Sequence, residues 1–245
     1  MEWSLRIPRH ACSPRHTSRA GDLWRLVQEA AVLASEEVGW PAARYVEEGT
    51  AFVVREMSGV HLREARYAEA LLTRTCVTES RRGILLRRET WVADVMRTSV
   101  QWAHVGRDGI PCRASPALVA AFRVDPAPGV ELPPFEPCEP TPLEVFYLQP
   151  WYTEMDPLGH TNHPRYVDWA DEALSRHVAA LGLDPLVMVP LAENVRFRGS
   201  AVAGDQVAVR LTEVGRGEAS RVFDFVVTAG ERLACEGRLW RSLPG

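Results

Sequence analysis

The order of segments along the chain occurs twice. A short alternating segment (Trp3, Leu5, Ile7) and a turn at Ser13-Pro14 precede a helical stretch from Asp22 to about Val38. Leu23, Leu26/Val27, Ala30/Ala31 and Ala34 share one face of it, and Gly39 and Pro41 close it. Strand-like segments follow at 50–54, 60–62, 70–78, 84–95, 98–105 and 117–124, punctuated by Gly59, Gly83 and Asp108-Gly109. After residue 142 the order restarts: a strand over 143–152, a helix over 164–181, then strands at 187–198, 206–214, 219–228 and 232–241.

The two runs can be laid on each other. Gln28-Glu29-Ala30…Gly39 falls on Asp171-Glu172-Ala173…Gly182 at one offset, since 172 less 29 and 182 less 39 both give 143. After a short shift, Val60-His61-Leu62-Arg63 falls on Val195-Arg196-Phe197-Arg198 (195 less 60 is 135). Identity is low, so the repeat is one of structure. The fold class it implies is α+β: two units, each an antiparallel sheet wrapped around a long central helix. Pairing the two sheets edge to edge would remove two exposed edges.

Between the units, Asp125 to Pro142 holds seven of the chain's 18 prolines and no helical or strand period. It reads as a semi-rigid extended linker. The expected division is residues 1–125, a linker over 126–142, and residues 143–245.

A net charge of −4 and a pI near 6.0 argue against a nucleic-acid partner. The longest basic cluster, Arg81-Arg82 with Arg87-Arg88, straddles Gly83 and reads as a hairpin with solvated flanks rather than a docking patch for an acidic carrier. Five dispersed cysteines without CxxC spacing, no apolar leader and no span-length apolar run make a reduced, cytoplasmic, membrane-free protein the expectation.

Reactive side chains concentrate in Asp156-Pro157-Leu158-Gly159-His160-Thr161-Asn162-His163-Pro164, directly before the second helix, which carries Tyr166 and Trp169. Asn162 or His163 is the expected cap, with Pro164 at the first helical position. Free N–H groups and the positive end of the helix dipole then point at the motif, a place for developing negative charge. Asp156 before Pro157 would, alone, be an ordinary turn residue. With Gly159, His160, Asn162, Tyr166 and Trp169 in register, the functional reading outweighs it. For His163 the balance favours a structural cap over a catalyst. Asp156, His160 and His163 straddle a turn and lack a fourth ligand, so no metal is expected, and no cofactor.

A strand, then Asp-x-x-Gly-His-x-Asn-x-x-x-Tyr-x-x-Trp opening a long helix, then four strands, resembles the hotdog-fold thioesterases. Asp156-Pro157-Leu158-Gly159 is similar to the Asp-Pro-x-Gly of the 4-hydroxybenzoyl-CoA thioesterase branch. His160-Thr161-Asn162-His163 with Tyr166 and Trp169 is closer to the acyl-ACP thioesterases, which carry two hotdog units in one chain. The resemblance implies a tandem (double) hotdog fold and an acyl-thioester hydrolase acting on acyl-ACP or acyl-CoA, with a second copy of the chain as a candidate partner. It places Asp156 as the carboxylate acting as nucleophile or base, His160 and Asn162 as its assistants, and Gly159, His163, Tyr166 and Trp169 against substrate. The plant enzymes differ: their Asn two residues after the Asp is Leu158 here, their second Asn after the His is His163, and their Glu or Cys on the next strand falls near Ser200 and Ala201. In the first unit, Ser13 and Thr17 stand at the positions of Asp156 and His160 (156 less 143; 160 less 143), so that unit reads as catalytically degenerate, a wall for the acyl chain.

Such a motif can hydrolyse a thioester: helix N–H groups hold the carbonyl oxygen, and Asp156 attacks directly or activates water. Two other classes fit less well. Hotdog hydratases and dehydratases resemble Asp-x-Asn-Pro-x-His, with five residues from Asp to His; here there are four and the Asn-Pro is missing. A non-catalytic acyl or carrier-protein binder fits the vacant first unit.

Overall fold

The computed structural model describes residues 1–243. Alternating residues from Glu2–Arg6 form β1, and Ala20–Glu37 form α1, followed by a short helix, α2, at Ala42–Glu48. Four long strands come next: β2 (Thr50–His61), β3 (Ala70–Arg81), β4 (Leu85–Val92) and β5 (Met96–Gly106). A one-and-a-half-turn helix, α3 (Pro116–Ala121), leads to β6 (Glu136–Pro142) and β7 (Phe146–Leu148). The second long helix, α4 (Pro164–Ala180), precedes β8 (Val189–Phe197), β9 (Val207–Arg216), β10 (Arg221–Ala229) and β11 (Arg232–Ser242).

All these strands join one antiparallel sheet of 11 strands, ordered β1-β3-β4-β5-β2-β8-β11-β10-β9-β6, with β7 also on β9. The first unit ends at β2 and the second begins at β8, and these pair directly, Glu56 with Arg196 through Val60 with Ala192. The edge-to-edge joining expected from the repeat is therefore what the backbone does. α1 lies against β3 and β4, α4 lies against β9, and the two helices touch. Each unit is a sheet curled round its own helix, and Leu23, Trp24 and Met57 of the first share one core with Tyr166, Leu174 and Phe225 of the second.

The seam is stapled by buried charge. The Glu193 carboxylate meets His61 Nε2 at 2.8 Å, Trp24 Nε1 at 3.3 Å and Arg241 Nη1 at 2.7 Å, and Arg241 Nε also donates to Asp171 at 2.8 Å. Burial alone would raise the Glu193 carboxyl, but the charges of His61 and Arg241 overcome it and hold it at about 2.

Several local expectations are corrected. Residues 117–124 are not a strand: Ser115 caps α3 by accepting from Leu118 N–H at 3.2 Å, and Pro116 presets its first turn. β2 is a single strand, its two halves joined through a bulge at Val54–Glu56. The strand expected over 143–152 shortens to β7. The linker is not only a spacer: its end, β6, pairs along the outer side of β9, Glu136 with Arg216 and Pro142 with Thr212. Prolines tolerate this place because an edge strand needs no ladder from its outer face.

Candidate active site

The sequence Asp-Pro-Leu-Gly builds a tight hairpin. Met155 and Thr161 bridge its ends, Asp156 N–H donates to the His160 carbonyl at 2.7 Å, and Gly159 N–H donates to the Asp156 carbonyl at 2.9 Å. Pro157 presets the first central residue, and Gly159 takes the left-handed φ of 77° that closes such loops. The Asp156 side chain serves the turn as well: its Oδ1 accepts from Leu158 N–H (2.9 Å) and His160 N–H (3.3 Å). Those bonds fix the carboxylate while Oδ2 has no hydrogen-bond partner among the described residues.

Asp156 stands where two hollows meet. Inward lies a cavity of about 350 Å³, walled largely by apolar residues of the first unit, among them Val32 of α1, Phe52 and Val54 of β2 and Trp102 of β5. Asp156, Pro157, Leu158, His160, Thr161, His163, Tyr166 and Ser200 supply the second unit's side. Outward lies a cleft lined by Tyr152, Met155, Gly159 and Val202, which shares Asp156 and Pro157 with the cavity. Trp151 and Tyr152, 75% and 84% exposed, stand beside it. The arrangement provides an apolar cavity, a fixed carboxylate at its edge, and a second, outer cleft beyond.

The expected helix cap is absent. His163 already has helical angles and no capping bond from its side chain; its ring turns inward, edge-on to Trp102 (5.9 Å) and Phe197 (6.2 Å). Burial, with Arg25 nearby, lowers this imidazole to about 3, so it is neutral. The helix opens with tight bonds, Arg165 N–H to the Asn162 carbonyl (2.9 Å) and Tyr166 N–H to the His163 carbonyl (3.3 Å). Those two donors are spent. From Leu158 to Tyr166, Pro164 aside, His163 has the one main-chain N–H without an acceptor among the described residues.

The remaining positions divide. His160 lines the cavity, with no side-chain hydrogen bond orienting it among the described residues. Tyr166 is buried at the cavity wall, and its oxygen accepts from Ala201 N–H at 2.8 Å; burial pushes its phenol up. Trp169 lies in the core against Tyr166, 4.9 Å between rings, and forms no part of the cavity wall. Asn162 also stays off the wall, with a buried, unpartnered Oδ1. The sequence pointed to the first unit as a wall for the acyl chain but not to which of its residues, such as Val32, Phe52 and Val54, form that wall, nor to Phe197, because contacts between strands of different units leave no local spacing.

The first unit repeats the hairpin's bridge and three of its four bonds; the bond from His160 N–H to Asp156 Oδ1 has no counterpart at Thr17 among the described residues. Cys12 and Ser18 bridge, Ser13 N–H donates to the Thr17 carbonyl (2.8 Å), His16 N–H to the Ser13 carbonyl (2.9 Å), and Arg15 N–H to Ser13 Oγ (3.2 Å). Here His16 (φ 63°) does what Gly159 does. Ser13 stands for Asp156 and Thr17 for His160. Arg15 fills this loop: it pairs with Glu64, which also accepts from Thr17 Oγ1 at 2.7 Å, and it donates to the Leu186 and Met188 carbonyls of the second unit.

Residues 158–236 match the family model described as Thioesterase superfamily, a segment that starts two residues after Asp156. A search of curated protein sequences finds no match. Among solved structures, the chain is similar over its full length to a Lactobacillus plantarum chain assigned as an oleoyl thioesterase (TM-score 0.82, 19% identity, covering 100% of this chain and 96% of that one). It is also similar to the 12:0-ACP thioesterase of Umbellularia californica (0.77, 15%, 99% and 97%) and to an acyl-ACP thioesterase of Bacteroides thetaiotaomicron (0.76, 14%, 99% and 97%). At these identities the structures establish the fold, a double hotdog, and within it residues 158–236 of the second unit carry the match to the thioesterase-superfamily model.

Proposed function

We propose that the chain hydrolyses acyl thioesters of a carrier protein or coenzyme A, with Asp156 as the essential carboxylate. The observation that carries this is the position of Asp156, fixed by two main-chain donors between an apolar cavity and an open cleft. The acyl chain lies in the cavity between the units, and the thiol-bearing arm leaves through the outer cleft past Tyr152 and Val202. The thioester carbonyl then sits at Asp156, and the unspent N–H of His163 accepts the charge that grows on its oxygen.

Two routes lead to the products. In one, Asp156 attacks the carbonyl, the C–S bond breaks to release thiolate, and water opens the resulting anhydride. In the other, Asp156 takes a proton from water as that water attacks. In both, water supplies the acid's oxygen and the thiol's hydrogen. His160, in the hairpin and at the cavity wall, assists proton transfer, and the first unit serves as the wall of the acyl channel rather than as a second catalyst.

The test is thiol release from a panel of acyl-CoA and acyl-ACP thioesters, on the wild type and Asp156→Asn. Release that disappears in a variant with unchanged melting behaviour supports the reading. Release that persists removes Asp156 from the role assigned to it.

A further inference from the structure

Arg88 was expected to flank a solvated hairpin. It is instead 6% exposed and faces the cavity, on the same side of β4 as Leu86. Strand alternation explains it: Leu86 and Arg88 point toward the helix-lined concave face, while Arg87 points away and pairs with Glu79.

The guanidinium has no carboxylate partner among the described residues. Its one hydrogen bond is a long one, from Nη1 to Thr75 Oγ1 at 3.4 Å, and it stacks over the Phe122 ring at 5.6 Å. The other fully enclosed arginine, Arg241, is matched by both Asp171 and Glu193. Polar neighbours of Arg88 are already committed to each other: Ser35 Oγ donates its hydrogen to the Trp40 carbonyl (2.7 Å), so Tyr45 gives its own to Ser35 (2.8 Å). The guanidinium is therefore the unspent charged donor at this end of the cavity; Trp102 Nε1 and Thr50 Oγ1, which also line the cavity without partners, are neutral. Burial lowers Arg88 to about 10, which still leaves a cation at neutral pH. A buried cation without a counter-charge is unfavourable, and an incoming anion relieves it.

We propose that this end of the cavity is a carboxylate subsite, where Arg88 receives the terminal carboxylate of an ω-carboxyacyl thioester whose thioester carbonyl lies at Asp156. The proposal rests on the hydrolase reading of the cavity and names its substrate class. A guanidinium fork matches a carboxylate in shape as well as charge, and the surrounding Trp40, Phe52 and Phe122 exclude water from the pair.

Two measurements test it together. In the first, thiol release is compared for matched methyl-terminated and carboxyl-terminated acyl thioesters of several lengths, on wild type, Arg88→Met and Arg88→Lys. The wild type favours the carboxyl-terminated member by at least about tenfold in kcat/KM, Arg88→Met reverses the preference, and Arg88→Lys keeps part of it. A wild type that favours methyl-terminated chains, with Arg88→Met lowering both substrates equally, overturns the subsite and leaves a structural cation stacked on Phe122. In the second, calorimetry measures binding of the corresponding non-hydrolysable pantetheine amides. If no thioester is cleaved but the carboxyl-terminated amide binds wild type and not Arg88→Met, the hydrolase reading fails and the subsite stands. If thioesters are cleaved and the two amides bind alike, the hydrolase reading stands and the subsite fails.

Discussion

Arg25 and Asp168 hold the same position in the two units (168 less 25 is 143), and they bind each other, Arg25 Nη2 to Asp168 Oδ2 at 2.5 Å. Their flanking charges follow the same rule. Asp22 and Arg165 are also 143 apart; Asp22 holds Arg25 at 3.0 Å, and Arg165 holds Asp168 at 3.2 Å. Two identical units meeting about this axis would set like charge against like. A single chain can write opposite charges on its two halves, and here the helices α1 and α4 use that freedom.

The pair should show up as coupling between the units. In urea unfolding of Arg25→Met, Asp168→Leu and the double variant, the cycle should return an interaction of about 1–3 kcal/mol. Additive effects would mean that the helices are held by packing alone. The same contact requires a glycine: a Cβ at Gly21 would lie 2.0 Å from Asp168 Oδ1. Gly21→Ala should therefore cost about 1–3 kcal/mol, although alanine is the better helix former.

Glu193 makes the seam sensitive to acid. Its carboxyl is held at about 2, below the ordinary 4.5, so its contribution is complete above 4.5 and lost as pH falls toward 2. Glu193→Gln should destabilise the protein by about 3–5 kcal/mol, since Arg241 and His61 lose the charge between them. Its stability should also fall less between pH 4.5 and pH 2 than that of the wild type. Parallel stability–pH curves for the two proteins would show that Glu193 is not the acid-sensitive group.

The doubled order of elements was legible because helix faces and strand runs are local, and so was the hairpin, whose Pro157 and Gly159 announce their own turn. Ser13 and Thr17 could be placed opposite Asp156 and His160 by counting. What local pattern could not give was which side of a strand faces the cavity: Arg88 lies in a run of charges that reads as surface, and only the curl of the sheet over α1 shows otherwise. The cap at His163 failed for a similar reason. The rings of Trp102 and Phe197, distant in sequence, draw its side chain inward. β6 was hidden because its prolines carry no strand signal, and its pairing depends on the close approach of Phe135 and Glu136 to Gly215.

His163 should not titrate during catalysis. Held at about 3 against an ordinary 6.5, it stays neutral over the working range, and only the unfolded chain takes up its proton between those values. Stability on its account is full above 6.5 and declines as pH falls toward 3. His163→Phe should keep the form of the pH–rate profile, raise KM through the altered wall, and soften the loss of stability below pH 6.5. Disappearance of a limb from the rate profile would give His163 a proton-transfer role that its burial opposes.

The first unit should resist conversion into a second site. Its hairpin already has most of the bonds of the one that holds Asp156, so placing the missing groups there is a test of what else the proposed site needs. In an Asp156→Asn background, Ser13→Asp with Thr17→His restores a carboxylate and an imidazole at the matching positions, yet thiol release should stay at background. The expected reason is Arg15, which pairs with Glu64 and reaches across from the first unit's hairpin to the carbonyls of Leu186 and Met188. A carboxylate at residue 13 would also lie beside that arginine and be drawn to it. Adding Arg15→Ala to the variant separates the two causes: activity that then appears would show that Arg15 alone silences the unit. Continued silence would assign the difference to the wall that α1 and β2 shape around the second unit's hairpin.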